Sequence, residues 1–97
     1  MEKYRIVNKE TNQVLTHQDG KVILAEASGT GAQQWIISTT GKEEYMFINV
    51  ESRTLLEIGG QSKEEGASAG VWKANAGANQ AWRIFEAGIT KLEDTTI

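Results

Sequence analysis

The sequence carries the same pattern twice. Tyr4 and Tyr45, Asn8 and Asn49, and Leu15 and Leu56 each stand 41 positions apart, while Gln33 and Gln80, and Trp35 and Trp82, stand 47 apart. The second copy therefore holds about six extra residues, which fall in the segment 59–69. A unit of this length cannot bury its own apolar face and has to pack against its copies. The chain of 97 residues is accordingly one domain, 1–97, divided into a first repeat over 1–44, a second over 45–88 and a C-terminal strand or tail over 89–97.

Inside each copy the chain breaks into short alternating or β-branched runs. They cover 4–8, 13–16, 21–24 and 35–38 in the first copy, and 45–49, 54–58, 70–73 and 82–85 in the second. Ten glycines and no proline leave the turns to Gly, Asn and Asp, which tolerate positive φ. Eight strand-like segments at this spacing predict an all-β sandwich or barrel. The one helix candidate, 62–69, has no large apolar residue on any face and a glycine inside, and reads as a polar loop. Four strands per copy point to a β-trefoil lobe or a propeller blade, and a propeller of four or more blades is beyond this length.

Composition closes off several classes of function. With no cysteine there is neither a disulfide framework nor a thiolate metal site, and the single histidine, His17, removes multi-histidine sites. No metal and no cofactor is expected: the stretch Gly29-Thr30-Gly31-Ala32-Gln33-Gln34 begins like a dinucleotide loop but lacks the third glycine and the following helix. A net charge of −3 gives no bulk attraction to nucleic acid. No apolar run approaches 18 residues, and nothing resembles a signal peptide or an Asn-x-Ser/Thr acceptor. The expectation is a soluble chain, its compartment left open, with a secreted or cell-surface role among the choices.

Catalysis is not expected either. A relay would have to join His17 to Asp19 or Asp94, and no serine sits in a Gly-x-Ser-x-Gly elbow. Glu43-Glu44 and Glu64-Glu65 are adjacent pairs, whose side chains face apart on a strand.

Each copy ends in Gln-x-Trp, as Gln33-Gln34-Trp35 and as Gln80-Ala81-Trp82, the second preceded by Asn79. Together with Tyr-Arg-Ile-Val-Asn, a polar turn, a leucine strand and Gly-Val-Trp, this order resembles the ricin B-type lectin family over roughly 4–88. The resemblance implies a β-trefoil-like fold built from two four-stranded repeats. It also implies that Trp35 and Trp82 are core residues, and that Gln33 and Gln80 fix neighbouring loops.

Trp72 is a separate matter. It follows Val71, so strand alternation turns one of the two outward, and an outward Trp requires an explanation. In the resembled lectins an aromatic at this place stacks on the C–H face of a sugar, whereas the plain alternative is a covered loop or a subunit contact. The family pairs that aromatic with an Asp early in the repeat and an Asn before the Gln-x-Trp glutamine. Asn79 matches the Asn, and Glu57 stands where the Asp would be, one methylene longer. Gln80 is expected to orient the carboxylate. The plain alternatives are a solvated edge charge for Glu57 and a turn residue for Asn79.

In the first copy the same places read Thr16, Ile23 and Ala32, none suited to sugar, so one site per chain is expected. The function implied is a carbohydrate-binding lectin module. It takes galactose or N-acetylgalactosamine type sugars weakly at Glu57, Trp72, Asn79 and Gln80, and gains avidity by oligomerisation. The competing reading is a non-enzymatic protein-interaction module that keeps the lectin scaffold without its sugar. Three lobes of this period need about 130 residues, and two alone expose strand edges. Completion by self-association is therefore expected, most simply as a two-fold homodimer.

Overall fold

A computed structural model describes residues 2–84. Six strands, β1 (Val14–Gln18), β2 (Lys21–Ala25), β3 (Trp35–Gly41), β4 (Glu44–Asn49), β5 (Leu55–Ile58) and β6 (Ala69–Trp72), form one antiparallel sheet in the order β1-β2-β6-β5-β4-β3. Single-turn 3₁₀ helices at Gly31–Gln33, Gly59–Gln61 and Ala78–Gln80 join them. The segment 62–69 is loop until β6 begins at Ala69, as its lack of an apolar face predicts.

Of the eight strand-like segments, 4–8 contributes only isolated bridges, Tyr4 to Trp35 and Val7 to Val14. These two bridges tie the β3 edge of the sheet to the β1 edge, so the sheet curls. The counterpart of Tyr4 in the second copy, Tyr45, lies in β4 and pairs with Trp82 in the same way. The difference is that β4 also has a full hairpin partner in β3. The segment 4–8 has no such hairpin partner and makes only its two bridges. Trp82 makes its one bridge, and the rest of 82–85 together with the tail 89–97 and Asp94 lies at or beyond the limit of the described residues.

The repeat is visible in the hydrogen bonds. The Trp35 indole N–H donates to the Leu15 carbonyl at 3.2 Å, and the Trp82 indole N–H to the Leu56 carbonyl at 3.1 Å. Asn8 and Asn49 each accept two backbone N–H groups of the turn that follows, through Oδ1. Trp35 is fully buried with Leu56 and Val71 in the core cluster, and Ile6, Leu15, Val22, Phe47, Ala69 and Trp82 pack against it. Trp82 is half-buried and meets Phe47 edge to face, centroids 6.5 Å apart.

Two hairpins set the register that the site depends on. Asp19 and Gly20, both at positive φ, turn β1 into β2 as a two-residue loop. The β3–β4 turn has the same shape but uses Lys42 and Glu43, at φ 59° and 60°, where a side chain is strained. Replacing this pair with Asn-Gly is expected to raise stability by about 1 kcal/mol, and the thermal midpoint by about 4–8 °C. A lowered midpoint in scanning calorimetry would contradict the turn assignment.

Candidate functional site

β5 and β6 pair with Leu55 opposite Trp72, Leu56 opposite Val71, and Glu57 opposite Gly70. Alternation then sends Leu56 and Val71 into the core and turns Trp72 outward. Trp72 is 57% exposed, the most exposed large apolar side chain among the described residues. Val71 beside it is 7% exposed. Gly70 is glycine for a reason of distance: a Cβ there would lie 2.7 Å from the Gly20 carbonyl oxygen, which accepts the Val71 N–H.

Beside Trp72 lies a pocket of about 340 Å³ lined by Glu57, Gly60, Gln61, Asn75 and Asn79. Glu57 is 8% exposed, so it is not a solvated edge charge. Its Oε1 accepts Asn79 Nδ2–H at 3.2 Å and Gln80 Nε2–H at 3.1 Å. Oε2 takes no hydrogen bond from the described residues, leaving one carboxylate oxygen for a ligand. A buried carboxylate needs hydrogen-bond donors, and two amides supply them here.

Gln80 is the staple of the site. Its Oε1 accepts the Asn75 N–H at 3.0 Å, and its Nε2 donates to the Lys73 carbonyl at 2.9 Å as well as to Glu57. One buried amide thus fixes the loop after Trp72 and the carboxylate together. Gln33 fixes the corresponding loop in the first copy, donating to the Glu26 carbonyl and accepting the Ser28 N–H, both at 2.7 Å, but meets no carboxylate among the described residues.

Asn79 donates to the Ile58 carbonyl at 3.2 Å in addition to Glu57. Two acceptors fix the orientation of its amide, because the reversed amide would set oxygen against oxygen. Its Oδ1 is then buried without a protein partner. A buried acceptor left in this state costs roughly 1–3 kcal/mol unless a ligand or water donates to it. The surrounding loops hold Gln61 and Ala76 at φ 55° and 59°, left-handed positions outside glycine.

In the first copy Val14 pairs with Ala25, Leu15 with Leu24 and Thr16 with Ile23. The register therefore places Ala25, not Ile23, at the position of Trp72, and Ile23 at that of Gly70. The Thr16 hydroxyl donates to the Val14 carbonyl of its own strand. The place of Asn79 is taken by Ala32, whose carbonyl accepts Asn49 Nδ2–H. Neither a platform nor a carboxylate is present there.

His17 is engaged elsewhere. Its Nε2 accepts the Gly20 N–H and its Nδ1 faces Glu51 Oε1, both at 3.1 Å, so the imidazole pins the β1–β2 turn instead of reaching Asp19. Among the described residues no group of three metal-ligating side chains converges. The Tyr4 phenol, hydrogen-bonded at 2.6 Å to the Glu2 carboxylate and raised in pKa by it, lies outside this pocket.

Two lobes of a curled trefoil sheet, closed by paired Gln-x-Trp staples with one aromatic platform beside a held carboxylate, define a lectin-like domain. Residues 31–95 match the model of the ricin-type beta-trefoil lectin domain-like family. The chain belongs to that family. It is 33% identical over 86 residues to an ulvan lyase of Nonlabens ulvanivorans, which covers 86% of the chain and 16% of the lyase. It is 28% identical over 93 residues to an exo-beta-1,6-galactobiohydrolase of Bifidobacterium longum subsp. longum, covering 87% of the chain and 6% of that enzyme. The chain thus spans a small part of the curated relatives it matches.

Among solved structures, the designed three-fold symmetric protein ThreeFoil superposes with a TM-score of 0.85 at 25% identity, over 89% of the chain and 66% of ThreeFoil. An exo-beta-1,3-galactanase from Clostridium thermocellum gives 0.83 at 29% identity, over 89% of the chain and 20% of the enzyme.

The lining residues Gly60, Gln61 and Asn75 escape sequence reasoning, since they reach Trp72 only through the loops. Gly77 is also hidden: a Cβ on it would stand 2.5 Å from Asn79 Oδ1. Its φ of −78° suits any residue, so the cost of Gly77→Ala should be that of displacing the Asn79 and Asn75 amides, about 1–3 kcal/mol. Thermal melts and side-chain amide NMR check this, and an unmoved Asn79 resonance would contradict the contact.

Proposed function

We propose that this chain is a carbohydrate-binding module that takes one galactose-type ring at the Glu57–Trp72–Asn79 pocket. The observation that carries the reading is the exposed Trp72 indole beside the buried carboxylate of Glu57, with two amides holding one of its oxygens. A pyranose ring with a patch of C–H bonds packs on an indole face. An adjacent hydroxyl then donates to Glu57 Oε2, while Asn79 and Gln80 keep the carboxylate aimed through its other oxygen. The choice of galactose is supported by the names of two relatives, a galactobiohydrolase and a galactanase. Those are enzymes of which the matched segment is a minor part.

So small a contact gives a dissociation constant of about a millimolar or somewhat tighter. Trp72→Ala is expected to weaken galactose binding about tenfold or more, and to change stability by no more than about 0.5 kcal/mol. Titration calorimetry with galactose, lactose and N-acetylgalactosamine checks it. No saturation at tens of millimolar sugar, or an unchanged affinity in the variant, overturns the reading.

We also propose that the module self-associates, as a two-fold dimer that supplies multivalency. Support comes from the internal symmetry. Asn49 Nδ2 reaches the Ala32 carbonyl of the preceding lobe, whereas Asn8 Nδ2 meets no acceptor among the described residues. Tyr4 and Val7 are 44% and 47% exposed on the same outer segment. Another lobe of this kind would cover that segment as the first lobe covers β4. Light scattering is expected to give a dimer mass, and a monomer mass at all concentrations contradicts it.

A further inference from the structure

Trp72 borders a second depression besides the one already assigned. It measures about 330 Å³ and is lined by His17, Gly20, Ser52, Thr54 and Lys73 as well as the indole. Pairing places the two on either side of the aromatic: Trp72 stands opposite Leu55. Glu57, Gly60 and Gln61 of the first pocket follow Leu55 along the chain, and Ser52 and Thr54 of the second precede it.

We propose that this depression is a second subsite, for the next ring of a β-linked galactose-type oligosaccharide whose first ring sits at Glu57–Trp72–Asn79. It rests on the carbohydrate reading and extends it from a single sugar to a chain. Three features carry the assignment. The two spaces are nearly equal, each at the lower end of the range of ligand pockets and large enough for one ring. The indole supplies apolar surface for the C–H face of that ring, and the Lys73 ammonium with the mutually hydrogen-bonded Ser52 and Thr54 hydroxyls supplies its polar rim. Lys73 enters no ion pair among the described residues, so its donors are available to sugar oxygens.

The far wall is built in advance. The Gly20 carbonyl accepts the Val71 N–H at 3.0 Å, and His17 holds the Gly20 N–H on one nitrogen and Glu51 on the other. The first lobe, which has no platform of its own, thus serves the site of the second by walling its outer subsite. Such preorganisation lowers the ordering cost of the longer ligand.

The test is calorimetric titration of the full chain with galactose, β-1,6-galactobiose and β-1,3-galactobiose. At least one disaccharide is expected to bind about fivefold tighter than galactose or better. The double variant Lys73→Ala, Thr54→Val should return it to the galactose level while leaving galactose affinity and the thermal midpoint in place. Lys73→Ala alone, at an exposed side chain, should give part of that loss should the double variant melt early. Galactose binding with neither disaccharide tighter overturns the second subsite alone, as does a variant that weakens all three sugars equally. No binding of any of the three sugars overturns the carbohydrate reading along with it.

Discussion

The amide of Gln80 is the contact on which the candidate site depends. It is fully buried, and its three hydrogen bonds join the loop after β6, the Lys73 carbonyl and the Glu57 carboxylate. A buried amide of this kind is costly unless every partner is present, so it forces the loop and the carboxylate into one arrangement. Trp82, two residues on, ties the same segment to β5 through Leu56. The Gln-x-Trp motif is therefore a fold device in both lobes. It becomes a site device only where a carboxylate stands within reach of the glutamine.

The two lobes show how little separates scaffold from site. Gln33 and Trp35 repeat the loop and indole contacts of Gln80 and Trp82 closely. What the first lobe lacks is chemistry, with Thr16, Ala25 and Ala32 at the places of Glu57, Trp72 and Asn79. Its Asp19-Gly20 turn packs instead against β6, so close that Gly70 can carry no side chain. A lobe without a site can still shape the site of its neighbour.

Much of this was legible in the residues, for physical reasons that differ from place to place. The spacing of the tryptophans and asparagines exposes the repeat, and the repeat with its strand periods leads to the trefoil. The outward turn of Trp72 follows from Val71 facing the core, a two-residue alternation that the pairing bears out. The equivalence of Ile23 and Trp72 does not survive, because alternation fixes the face of a side chain but not its register. Only the pairing of Val14 with Ala25 sets Ala25 in that place.

Other features depend on tertiary approach and leave no local trace. The burial of Glu57 requires both amides to come from 22 and 23 residues further on. Gly60, Gln61 and Asn75 enter through loop geometry, and the pairing of 4–8 is limited to its two bridges.

The central claim is that sugar sits between Trp72 and the Glu57–Asn79 pair, with Gln80 behind them. Side-chain ¹H–¹⁵N spectra recorded during a galactose titration test it most directly. The account predicts progressive, saturating shifts of the Asn79 side-chain amide and the Trp72 indole N–H, a smaller shift at Gln80, and none at the equivalent Gln33. Saturating shifts centred on Gln33 and the first lobe, with Asn79 and Trp72 unmoved, would contradict it.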